Sequence, residues 1–455
     1  MIEIRIPGAQ VRRYLKITRG EGIFGYAVND SVGSFFAGCA EYLRHLGIDI
    51  SNVRLISLRS SVGNVETIRF AESCVVYDET MHELYRAIAV AVLENSNKTS
   101  SPATLRGGSV PAWANAVYAA RYLSAGEKEK ALFQAQASFD KYDSMGRSKS
   151  GNSPHPHDWA TVKVAYAVAH EIAHCHPEES AISVARMFLQ RFHAQILPYV
   201  RYLDATRPND VAGMDLAAAS RSELEESEPA FKSAYFMGDD DFVELQHLFR
   251  EFVVPQHGRL LTREEMLNIA LADHDGLGEE VLCDALAVLM TVSLLGVKGG
   301  TLPMDECLLA CYASSKSTAI VRHVDSCIQP TVDSARDIQG VYTDIRESWI
   351  RTNLMSIWIA SLFHEYNGDR TDLSPSDWIE IGGEKFLRAE RRLADRMDDL
   401  NRLYARFRSA DLAGFIAVET DLWLQRLKPN QLEALGDALK DEAVIYADVL
   451  RVLRA

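Results

Sequence analysis

The chain has 455 residues, 47% hydrophobic and 24% charged, with a formal net charge of −15. That is ample apolar material for a large core, and too little clustered positive charge for nucleic acid to be the main partner. The N-terminal Met-Ile-Glu-Ile-Arg-Ile-Pro lacks the basic start and apolar run of a signal peptide, and the longest apolar stretch, around residues 285–297, is too short to span a bilayer.

Short β-like runs at Ile2–Ile6, Val53–Leu58, Thr67–Phe70 and Cys74–Tyr77 alternate with helical patterns near residues 31–46 and 79–95, which predicts an N-terminal α/β subdomain over residues 1–96. Turn chemistry makes residues 95–108 a loop. Pro111–Ala125 and Gly126–Tyr142 read as two helices, and the polar stretch 144–157 as a linker, so residues 97–157 form a helical insertion with a flexible loop. Residues 158–300 carry the chemistry. From 301 to 455 the pattern is helical throughout, including Glu384–Arg408 and Lys428–Leu453, and this C-terminal region is expected to serve as an interaction module. Seven cysteines without a CxxC pair fit a reducing compartment, so a cytoplasmic setting is expected.

The chemistry centres on His170-Glu171-Ile-Ala-His174. On a helix, residues four apart lie one turn apart on one face, so two imidazoles can aim at one metal while Glu171 sits beside its open position. Asp158 to Ala169 begins with an N-cap type residue and continues with good helix formers, and Pro177 stops the run, which predicts a helix of about eighteen residues. Catalytic zinc takes a third protein ligand. An HExxHxxGxxH continuation is excluded by Pro177 and Ser180, and the region about twenty residues on, around His193, lacks a Glu. The best remaining source is the apolar stretch that opens with Glu279-Glu280-Val-Leu-Cys283-Asp284, since acids on such a helix are costly to bury unless paired or bound to metal. Glu280 and Asp284 share a face, so Glu280 is assigned as the third ligand and Asp284 as the acceptor of a ligating histidine's second N–H. Glu223, Glu226 and Glu279 are the alternatives.

This set, HExxH followed at a distance by ExxxD, resembles the gluzincin zinc metallopeptidases. Glu280-Val-Leu-Cys283-Asp284-Ala-Leu-Ala287 follows their E-x-x-A-D-x-x-A form, with Cys283 in place of an alanine. Ser73–Asp78 and the helical stretch Glu79–Leu93 look like the strand and helix that precede the active-site helix in compact members. The CAAX prenyl endopeptidases and the phage-exclusion metallopeptidases share such elements, and the likeness covers roughly a third of the chain. It implies an α+β, predominantly α-helical fold: a zincin-like core with a small N-terminal sheet and helical additions. It further implies Zn2+ held by His170, His174 and Glu280, and hydrolysis of peptide bonds in an intracellular protein by zinc-activated water, with Glu171 as general base. Oxyanion donors in such enzymes are often Tyr, His or Arg, which points to Arg322 and His323, with His274 and Tyr312 behind them.

Two other classes stand beside this one: an inactive regulatory protein on a zincin scaffold, against which the intact Glu171 speaks, and a zinc hydrolase of a non-peptide amide. Between Asp204 and Asp284 the chain carries nineteen acidic and six basic side chains. That excess, with Glu223–Glu228 and Asp239–Asp241 at its heart, is either a solvated surface or a rim attracting a basic substrate segment. His155, His157 and His176 offer a second metal cluster, and Cys175 and Cys283 a redox response, each with an ordinary structural explanation as well.

Overall fold

The computed structural model describes residues 9–19, 23–26, 29–69, 73–96, 110–145, 156–175, 178–206, 243–244, 261–273, 276–296, 302–328, 338–366, 397, 400, 416, 420, 425, 439 and 441–454. Helix accounts for 80% of these residues, beside a four-stranded mixed sheet, so the fold is α+β with helices predominant. Two compact units divide the chain, one of Met1–Cys175, Met290–Gln329 and Asp399–Ala455, the other of His176–Leu289 and Pro330–Asp398.

In the first unit the sheet order is β1-β2-β4-β3, with β1 Ile23–Tyr26, β2 Arg54–Ser60, β3 Val65–Arg69 and β4 Ser73–Asp78. The central pair β2/β4 is parallel and both outer pairings are antiparallel. Strands covered on both faces read as continuous apolar runs, and Leu-Ile-Ser-Leu in β2 and Cys-Val-Val-Tyr in β4 are buried throughout. Helix α1 (Ala9–Arg19) covers one face, its Val11 and Leu15 packing with Ile56, Leu58, Ile68, Cys74 and Val76. Helix α6 (Pro156–Ala173) packs against β3 and β4 and against α2 (Asp30–His45), α3 (Thr80–Ser96) and α10 (Met304–Ile328). Around them lie α4 (Val110–Ser124), α5 (Lys128–Met145) and α12 (Glu442–Arg454). α12 buries Ile445, Tyr446, Val449, Val452 and Leu453 against α3, α4 and α5.

A buried carboxylate organises the turn into α3. Asp78 accepts from the backbone N–H groups of Ser60, Gly63 and Thr80 and from the Ser60 hydroxyl, so its charge is met by four donors. Gly63 sits at φ +60, the left-handed region that favours glycine, and a Cβ there would displace a methyl of Leu84 that lies 2.5 Å away.

The second unit is helical among its described residues: α7 (Glu178–Thr206), α8 (Arg263–Ala272), α9 (Leu277–Thr291, mostly within this unit) and α11 (Ile338–Tyr366). Asp204 near the end of α7 accepts from the backbone N–H groups of Arg263 and Glu264, capping α8, while Thr262 and Glu265 form a capping box at the same end. Asp273 caps α9 through Leu277 N–H. A Cβ on Gly278 would stand 2.4 Å from the Ala270 carbonyl oxygen, so only glycine allows α9 to start this close to α8.

The predicted strand Ile2–Ile6, the helix Glu384–Arg408 apart from residues 397 and 400, and most of the helix Lys428–Leu453 up to residue 440 lie outside the described residues, as do the acidic runs 223–228 and 239–241 and most of the loops 95–108 and 144–157. Among the described residues no helix is long and apolar enough to cross a membrane.

Candidate metal centre

Helix α6 is eighteen residues long and starts at Pro156, two residues before the expected Asp158, with proline where its missing N–H costs nothing. From Trp159 to Ala169 every residue but the exposed Thr161 is buried, and at the C-terminal end His170 and Glu171, with His174 just past the last helical residue, are partly exposed. There the two imidazoles converge: Nε2 of His170 and Nε2 of His174 are 3.1 Å apart, with the rings at 76° to one another. Two nitrogens on one tetrahedral zinc with Zn–N near 2.0–2.1 Å stand about 3.3 Å apart, so the pair needs only a small adjustment to accept a metal. Neutral imidazoles plus a carboxylate are also the donor chemistry zinc takes.

Helix C-termini leave carbonyls without intrahelical partners, and the edge strand β3 supplies donors to them. Thr67 Oγ1 donates to the Glu171 carbonyl at 2.7 Å and the Arg69 guanidinium to that of His174. The metal-motif turn is thus tied through its backbone to two side chains of one strand. Burial pushes the thiol of Cys175, next to His174, up to about 12, so it stays protonated at neutral pH.

One face of α6 joins a polar seam inside the first unit. Lys163, two turns before His170, is wholly buried; its Nζ meets Ser317 Oγ at 2.8 Å and lies 5.8 Å from the ring centre of Tyr85 and 6.0 Å from that of Trp159. Burial pulls its pKa down to about 7. Ser314 donates to the Lys163 carbonyl, and the Tyr85 hydroxyl pairs with Thr318 Oγ1 at 2.6 Å. Burial raises the Tyr85 pKa to about 12; the hydroxyls of Thr318 and Ser314 and the Arg322 cation oppose the rise and the Glu171 carboxylate adds to it. Arg322, exposed on α10, and Glu171 therefore act on one hydroxyl that nothing in the linear motif announces. The side chain of His323 and all of His274 lie outside the described residues. Tyr312 is buried in the core with Lys316 over its ring.

In the second unit, α9 carries Glu280 and Asp284 as expected from their four-residue spacing, and α11 brings Arg351 to both. Arg351 Nε and Nη2 donate to the two oxygens of Asp284 at 2.9 and 3.0 Å, and Nη1 meets Glu280 Oε2 at 2.7 Å. The Asp284 carboxylate is thus a partner of arginine here, and no motif in the sequence foreshadowed Arg351. His157 stacks edge-on with His82, ring centres 4.8 Å apart, while His155 and His176 lie outside the described residues. Burial lowers the His82 pKa to about 4.

No protein-family model, curated protein or solved structure matches the chain.

Proposed function

We propose that the chain is a zinc-dependent endopeptidase in which His170, His174 and Glu280 hold the metal and Glu171 is the general base. The observation that carries this reading is the convergence of the two Nε2 atoms at 3.1 Å at the end of a largely buried helix, where Glu171 is also partly exposed. Glu280 enters as third ligand from its place in the ExxxD motif. When bound, zinc supplies Lewis acidity, polarising a carbonyl and making water acidic enough to be deprotonated near neutral pH. Glu171 receives the proton from the attacking water and delivers it to the departing amine, so its carboxylate starts ionised and ends ionised. Arg322, exposed on α10, is the cation assigned to the carbonyl oxygen of the substrate. The acidic residues between Asp204 and Asp284 favour a substrate with a basic segment, and cysteines without CxxC pairs suit a cytoplasmic setting.

The test compares wild type with Glu171→Gln. The variant is expected to bind one zinc by elemental analysis, as wild type does, and to generate no new N-termini when host lysate proteins are profiled after incubation. Equal cleavage by both proteins removes Glu171 from its role, and zinc binding by wild type without any cleavage turns the reading to a regulatory protein or to a non-peptide amide hydrolase.

A further inference from the structure

Arg351 bridges the two acids of the Glu280-x-x-x-Asp284 motif from a different helix, and the two ends of the bridge differ. The Asp284 side chain is 8% exposed and the Glu280 side chain 34%. At the Asp284 end the guanidinium makes a two-pronged pair, the geometry that fixes an arginine plane most firmly. That end is walled by Phe192, Val281, Ala285, Met355 and Trp358, and the Trp358 indole N–H donates to the Ala285 carbonyl at 3.3 Å. Apolar walls keep water off the pair and strengthen it. The third contact, Nη1 to Glu280 Oε2, therefore comes from a donor whose direction is already set.

Resting on the reading of Glu280 as a zinc ligand, we propose that Arg351 is a positioning residue for the metal: anchored on Asp284, it holds the Glu280 carboxylate in one orientation and thereby sets zinc affinity. Asp284 then acts on the metal through Arg351 and Glu280. An ammonium cannot take over the task, because lysine offers a point charge and no fork.

The experiment titrates metal-free protein with Zn2+ against a chromophoric chelator, for wild type, Arg351→Met, Arg351→Lys, Asp284→Asn, Glu280→Gln and the double variant Arg351→Met/Glu280→Gln. Melting temperatures of the metal-free proteins are recorded alongside. Arg351→Met is expected to weaken zinc binding about tenfold or more, as loss of a group that orients a ligand commonly does. Arg351→Lys should recover only a minor part of that loss, and Asp284→Asn should weaken binding in the same direction. In the Glu280→Gln background, Arg351→Met should change zinc affinity no further, because the effect passes through that carboxylate. Zinc affinity within about twofold of wild type in Arg351→Met, tighter binding as expected of a competitor for Glu280, or a loss that persists undiminished in the Glu280→Gln background each overturns the proposal. A Glu280→Gln protein that binds zinc as wild type does is a different failure, since it removes Glu280 from the ligand set and takes the underlying reading with it. Should Arg351→Met not fold, Asp284→Asn and Arg351→Lys, which keep hydrogen-bonding groups in the bridge, carry the same comparison.

Discussion

A wholly buried lysine on the helix of the HExxH motif works against stability, and its cost depends on pH. Lys163 has a folded pKa lowered to about 7, whereas the unfolded chain holds the proton up to its ordinary value of 10.5. Between these values the unfolded state binds more protons than the folded one, so the contribution of Lys163 to stability rises with pH across the window. Below about pH 7 both states carry the charge and burial of the ammonium is fully penalised. Chemical denaturation of wild type and Lys163→Met should show wild type gaining about 2 kcal/mol relative to the variant between roughly pH 7 and pH 9. A pH-independent difference between the two would mean that Lys163 does not lose its proton on folding in this range. The residues of the candidate site divide by how far away their partners lie. His170, Glu171 and His174 were legible because helical spacing puts them together, and Glu280 and Asp284 because acids on an apolar helix demand a partner. That partner, Arg351, is 67 residues beyond Asp284, and Tyr85 is 233 residues from Thr318, distances over which a single sequence carries no pairing signal.

Helix α6 is held at its last turn by an edge strand, and this attachment can be tested without touching the imidazoles of His170 and His174. Thr67→Val keeps the shape of the side chain and removes the donor to the Glu171 carbonyl. It should lower stability by about 1 kcal/mol in urea titrations. An unchanged midpoint and slope would show that the bond contributes nothing net. Glycine tests the second unit in the same way: with a Cβ only 2.4 Å from the Ala270 oxygen, Gly278→Ala forces α8 and α9 apart. The expected cost is several kcal/mol, about 3 or more, visible as a lowered melting temperature. Elements of strong period were readable: the helices near 31–46, 79–95 and 111–125 appear within a residue or two, as do the runs at β2, β3 and β4. Helix α1 has no counterpart among the predicted elements, although its Val11, Tyr14 and Leu15 stand at helical spacing. Strand β1, four residues with a glycine at the third, carries too little pattern to stand out.

At the scale of the whole chain the topology is non-local. The first unit is assembled from three stretches of sequence, and the parallel β2/β4 pair is joined through a strand at the sheet edge. Nothing periodic in a sequence encodes such an order. The last described helix completes that unit. Tyr446 shares a hydrogen bond of 2.7 Å with Thr80, Arg86 donates to the carbonyls of Leu453 and Arg454, and Lys128 pairs with Glu442. Five side chains of α12 are buried, each worth about 1.5–3 kcal/mol, a sum comparable to the 5–15 kcal/mol that holds a typical protein folded. A chain ending at residue 440 should therefore lose the cooperative melting of the first unit and become protease-sensitive within α3, α4 and α5. Retention of both would show that the sheet and its helices stand without α12. The C-terminal helix, expected from the sequence to belong to an interaction module, is in this part core.

The hydrogen bond from Tyr446 to Thr80 also sets a clock. At ribosomal rates of roughly 5–20 residues per second, α12 emerges about 20–70 s after α3. Through that interval the faces of α3, α4 and α5 that it will cover stay open to chaperones and proteases. The helix that carries His170 and Glu171, packed on α3, waits with them, so an interrupted chain is open to degradation before the surroundings of that helix are complete.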